Sequence, residues 1–114
     1  NETNGENNMQ MTFRGAPCSV TLSRYGNHRV AVQLFDAEQM PEARLSINID
    51  GAHVGHGEFV LSHDVNRYLD EIKQSELFEL TTKTVDYGMV EGQPIFRLAG
   101  EALAEWLAQN TRVL

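Results

Sequence analysis

His53, His56 and His63 stand close together, beside Asp50, Glu58 and Asp64. Neutral imidazoles and carboxylates are the groups that hold a catalytic metal or pass protons in hydrolysis. His53-x-x-His56 can offer two ligands from one turn, but no third ligand follows at a familiar interval. Gly51, Gly55 and Gly57 read equally well as turn residues. The segment is therefore expected to be a surface loop holding no metal, with a metal-dependent or hydrolytic enzyme using His53, His56 and His63 as the alternative. The glycines do not match the dinucleotide fingerprint, which needs a strand-to-helix turn, and no phosphate-gripping Lys-Ser or Lys-Thr occurs. Cys18 falls on the inward parity of its segment, so a buried free thiol is expected rather than a nucleophile. No serine sits in a Gly-x-Ser-x-Gly elbow. The residues point away from an enzyme, and no cofactor is expected.

Charge is the stronger signal. Sixteen acids against nine bases give a net charge of −7, which argues against direct nucleic-acid binding, because that requires basic faces to neutralise phosphate. Asp70, Glu71, Glu76 and Glu79 gather around one expected helix, and Glu101 and Glu105 lie at i and i+4 on another. Like charges at that spacing are mildly destabilising. The plain reading is a solvated helix face. The sharper one is a negative patch, Asp70, Glu71, Glu76 and Glu79, that docks on a basic surface of a partner protein. Met40, Met89 and Phe35 are expected in the core, with exposed apolar contact as the alternative.

The elements that must position these residues follow from period. Arg29 to Asp36 alternates, with Val30, Val32 and Leu34 pointing one way and Ala31, Gln33 and Phe35 the other. Cys18, Val20 and Leu22 repeat the pattern, as do Leu45, Ile47 and Ile49. A period of two with one apolar face predicts half-buried antiparallel strands. Met11–Phe13, Glu58–Leu61, Thr81–Tyr87 and Gln93–Leu98 are further expected strands, and Pro94 should confine the last to an edge or a strand start. Tyr25–His28, Asp50-Gly51 and Gly88–Gly92 read as turns. Val65, Tyr68 or Leu69, and Ile72 predict a helix over roughly Asp64–Gln74, capped by Ser62 or Asp64, with Leu77, Phe78 and Leu80 continuing the core. Ala102, Leu103, Trp106 and Leu107 form the apolar stripe of a second helix from Gly100 to about Asn110. The fold class expected is α+β: an antiparallel meander of five or six strands with two helices packed on one face, over residues 11–114. Asn1–Gln10, polar and aperiodic, reads as a disordered tail. No apolar run is long enough to span a bilayer and no segment reads as a signal peptide, so a cytoplasmic protein is expected. An uncovered sheet edge invites a homodimer, the third reading being an oligomeric structural module.

On Tyr25-Gly26-Asn27-x-Arg29-Val30-Ala31-Val32-Gln33-Leu34-Phe35-Asp36-Ala37-Glu38, and on Val85-Asp86-Tyr87-Gly88-Met89-Val90-Glu91-x-x-Pro94-Ile95-Phe96-Arg97-Leu98, the chain resembles a small family built on a domain of unknown function. In that family a Tyr-Gly-Asn turn opens a strand that ends in an acidic loop, and an apolar strand ending Arg-Leu lies near the C-terminus. The likeness spans residues 18 to 98. The Asp50–Gly57 segment and the tryptophan-bearing helix depart from it. The resemblance implies a small accessory protein of a bacteriophage, plasmid or conjugative element, with a host-facing role such as anti-restriction or anti-CRISPR inhibition of a defence complex. It brings no catalytic residues.

Overall fold

Alternation governs the first half of the chain. The computed structural model describes residues 9–112, and in it β1 (Gln10–Phe13), β2 (Ala16–Arg24), β3 (Val30–Phe35) and β4 (Pro41–Arg44) form an antiparallel sheet in that order. Cys18, Val20, Leu22, Val30, Val32 and Leu34 are all buried, as the period of two requires. The Tyr25–His28 turn closes β2 onto β3, but the residue with positive φ is His28 (70°) rather than Gly26 or Asn27. Of the expected 1–10 tail, residues 1–8 lie outside the described residues. Met9 is buried and Gln10 opens β1, so these two belong to the fold.

The strand expected through Leu45, Ile47 and Ile49 is interrupted at its start, and the break makes a second sheet. β4 ends at Arg44 and β5 (Ser46–Ile47) pairs with β6 (Glu58–Leu61) instead of β3. The residue between them, Leu45, belongs to both sheets. Its N–H donates to Val32 O at 2.9 Å, while its carbonyl accepts from Ser62 N, just past β6, at 2.7 Å. Val32 N–H thereby loses the carbonyl it would have bonded. Ser46 Oγ takes that place, accepting from Val32 N at 2.9 Å, and it also bonds Tyr25 Oη at 2.9 Å. That is why Ser46 is buried, although strand parity put it on the wet side.

The second sheet runs β5-β6-β8-β7, with β7 at Phe78–Tyr87 and β8 at Val90–Leu98. Pro94 therefore sits in an interior strand, not at an edge. Thr81 Oγ1 donates to Ile95 O at 2.6 Å, which aims Ile95 at β7 and, by alternation, Pro94 at β6. Pro94 has no proton for Leu61 O, so Gln93 Nε2 supplies one at 2.8 Å. The buried Gln93 amide also exchanges hydrogen bonds with Asn66.

Over the described residues the architecture is α+β: two four-stranded antiparallel sheets and two α-helices, not closed into a barrel. This corrects the single sheet of five or six strands with both helices on one face. The expected first helix is a 3-10 segment, His63–Tyr68, leading into α1 (Leu69–Gln74), with Ser62 Oγ accepting from Asp64 N. α1 lies against β1 and β7; α2 (Gly100–Arg112) lies against β2 and β8. Each helix spans both sheets. The main core gathers the inner faces of both, with Phe59 edge-on to Phe78 and stacked near Phe96. Val60 and Ile95 face the other way and pack with Ala52 under the loop after β5. Arg29 holds that loop down through Ile49 O and Ala52 O, both at 2.8 Å.

Several expected core residues are outside. Ala102 and Trp106 form the buried stripe of α2, while Leu103 and Leu107 are exposed, as is Leu80 on edge strand β7. Met40 and Met89 lie in hairpin turns, where no second layer covers them; Phe35 is half-buried.

Replacing Ser46 by Ala leaves Val32 N–H buried without an acceptor. This substitution should cost about 1–3 kcal/mol in denaturant unfolding, the usual desolvation penalty of an orphaned amide. A loss no larger than that of an exposed serine would refute the corner's dependence on the hydroxyl.

Candidate functional site

The four acids expected to make a patch have different employments. Glu71, in the first turn of α1, points at the β1–β2 turn and accepts from Arg14 N at 2.7 Å and Gly15 N at 3.1 Å. Its charge satisfies backbone amides and pins the hairpin to the helix. Glu79 on β7 faces Arg97 on β8 across a ladder pair, with Nε to Oε1 at 2.9 Å. Both side chains of that pair are more than half exposed, so it contributes little to stability. Asp70 and Glu76 are exposed and have no ion pair among the described residues. Glu76 follows α1 in a left-handed conformation, φ 64°. On α2, Glu101 is exposed and Glu105 accepts from Gln109 Nε2.

More acids share one end of the first sheet. Asp36 Oδ1 accepts from Glu38 N and Met40 N, each at 2.9 Å, and shapes the β3–β4 turn. Glu42 pairs with Arg14 at 3.1 Å. Cys18 lies within their field. Burial pushes its thiol above the ordinary value, and the charges of Glu42, Asp36 and Glu71 push it the same way. It is a free, buried cysteine, as parity required. A protonated, enclosed thiol is a poor nucleophile.

The three histidines are not brought together. His53 edges a shallow hollow beside Lys83 and Thr84. His56 Nε2 lies 3.3 Å from Asn110 Nδ2, its ring 6.1 Å from Trp106. His63 opens the 3-10 segment and is exposed. Among the described residues no group of three His, Cys, Asp or Glu is placed to hold a metal ion. No helix there is long and apolar enough to cross a membrane.

Two polar features had no signal in the sequence. One is Glu58, which caps the glycine-rich loop by accepting from Gly55 N at 2.8 Å and pairs with Lys83 at 2.5 Å. Residues 25 apart meet only because β6 and β7 flank β8. The other is Arg24, whose guanidinium lies 4.8 Å from the Trp106 ring; its Nη2 and Trp106 Nε1 are buried without a hydrogen-bond partner among the described residues.

Similarity to other proteins adds no family to this description: no protein-family model, curated protein or solved structure matches the chain.

Burial raises the Glu58 carboxyl, but the Lys83 hydrogen bond, the Gly55 N–H and the charges of Lys83 and Arg97 outweigh it and leave it below the ordinary value. The stability it lends is complete above the unfolded carboxylate value, about 4.3. It is lost as pH falls through the lower folded value. Unfolding curves of the native chain and Glu58→Gln should therefore separate at neutral pH and converge in acid; a constant gap across the series would contradict the assignment.

Proposed function

We propose that this chain works by non-catalytic protein contact, laying an acidic surface on a basic surface of a partner. The supporting observation is the imbalance of charge. Of nine bases, Arg14, Lys83 and Arg97 are already engaged with Glu42, Glu58 and Glu79. Asp70 and Glu76, flanking Lys73 on and just after α1, remain exposed with no ion pair among the described residues. A surplus of one sign steers association with the opposite sign and sets its dependence on salt. Of the four acids first considered, Asp70 and Glu76 are thus the pair available to a partner; Glu71 and Glu79 contribute field while held at home.

The resemblance to phage, plasmid and conjugative-element proteins supports a partner on the host side, a component of a restriction or CRISPR defence complex whose basic groove is occluded by this surface. Affinity capture from bacterial lysate tests the contact. The chain should retain a partner at low salt and release it at high salt, and Asp70→Lys with Glu76→Lys should abolish retention. Unchanged retention by that double variant would remove these residues from the interface.

A further inference from the structure

The β7–β8 hairpin runs on past the rest of its sheet. β6 pairs with β8 only from Ile95 to Arg97, and past the Val85–Gln93 pair, which still packs against it, the residues from Asp86 to Gly92 extend beyond it as a two-stranded tip. At the tip, Tyr87 pairs with Val90 across the two-residue turn Gly88-Met89, and Gly88 supplies the positive φ (54°) such a turn needs. Behind it Gly92, φ 67°, forms a bulge whose N–H donates to Asp86 Oδ1 at 2.7 Å. The turn is held from within, so binding through it loses little conformational freedom. Its outermost residue is Met89, 99% exposed. Nothing in the turn's geometry requires methionine there. A flexible, polarisable side chain on a rigid tip is instead suited to filling an irregular apolar hollow.

The same hairpin carries such a hollow at its base. About 330 Å³ in volume, it is floored by Ala52, Val85 and Ile95 and rimmed by His53, Lys83 and Thr84. A β-bulge builds this rim: Thr81–Lys83 stand opposite Ile95 alone, and Thr81 Oγ1 replaces the missing ladder bonds by taking Lys83 N–H and donating to Ile95 O. Lys83 Nζ donates a hydrogen bond to the Glu58 carboxylate, and its side chain remains 43% exposed. The tip is apolar with Asp86 and Glu91 behind it; the hollow is apolar with Lys83 and His53 on its lip. From Val85 the strand runs two residues further, about 7 Å, to Tyr87 before the turn that carries Met89.

We infer that the occupant of this hollow is Met89 of a second copy. A two-fold axis between tip and base sets each Met89 into its neighbour's hollow, with Asp86 and Glu91 facing the opposite Lys83 and His53. The contact is self-complementary and closes at two chains. It needs no continuous strand edge, which the bulge interrupts on β7. Neither Asp70 nor Glu76 lines the hollow or the tip, so its outcome does not decide the fate of the acidic surface.

Sedimentation velocity on the full chain, over a concentration series, tests the pairing. The native chain should pass from monomer to dimer. Met89→Asp, which removes the anchor, and Thr84→Trp, which plugs the hollow, should each raise the dissociation constant at least about 30-fold, the loss expected of a central anchor. Mixing the two variants should recover association beyond either alone, because one keeps its hollow and the other its tip. A native chain that stays monomeric, a Met89→Asp variant that dimerises like the native chain, or a mixture no better than its components would overturn the inference. Met89 is fully exposed, so its substitution is informative even if Thr84→Trp perturbs folding.

Discussion

A strand that leaves one sheet for another must abandon a hydrogen bond, and the fold of this protein rests on how that bond is replaced. At Leu45 the carbonyl turns from Val32 to Ser62, and Ser46 Oγ receives the stranded Val32 proton. At Pro94 a missing proton is made good by the Gln93 amide. Ser46 and Gln93 are the two buried polar side chains among the described residues. Both stand in for backbone. Apart from the Arg24 and Trp106 nitrogens the interior around them is apolar, so each of these groups is indispensable in a way that a surface serine or glutamine is not.

What could be read from the chain follows from this. Strands β2 and β3 were legible because one face is core and one is water, and the period of two records that directly. The second sheet was harder. Phe59, Val60 and Leu61 are buried on both faces, so period carries no information there. The corner at Leu45 was hidden because Ser46 has the polarity of an outward residue and the burial of an inward one. Likewise Pro94 signals an edge to any reader who cannot see Gln93 reaching Leu61. Helix α2 was placed correctly by Ala102 and Trp106, but its stripe proved narrower than the run of leucines implied.

The acids show the same limit at the level of function. Counted along the chain, Asp70, Glu71, Glu76 and Glu79 look equivalent. In space Glu71 is a brace for the Arg14-Gly15 turn, Glu79 is half of a cross-strand pair, and Asp70 and Glu76 are open charge. Local backbone amides absorb carboxylates as readily as lysines do, and composition cannot register that. The histidines illustrate the converse: nearness in sequence scatters them to a hollow, a helix flank and a segment start.

Cys18 has a practical consequence. It is the chain's single thiol, enclosed between β1 and β3 and kept protonated by burial and by neighbouring acids. With Cys18 only 3% exposed, an alkylating reagent gains ready access to its sulfur when the packing around the first sheet loosens. The speed of labelling in native buffer therefore measures how often that sheet breathes, so the molecule carries its own gauge of local opening without an introduced probe.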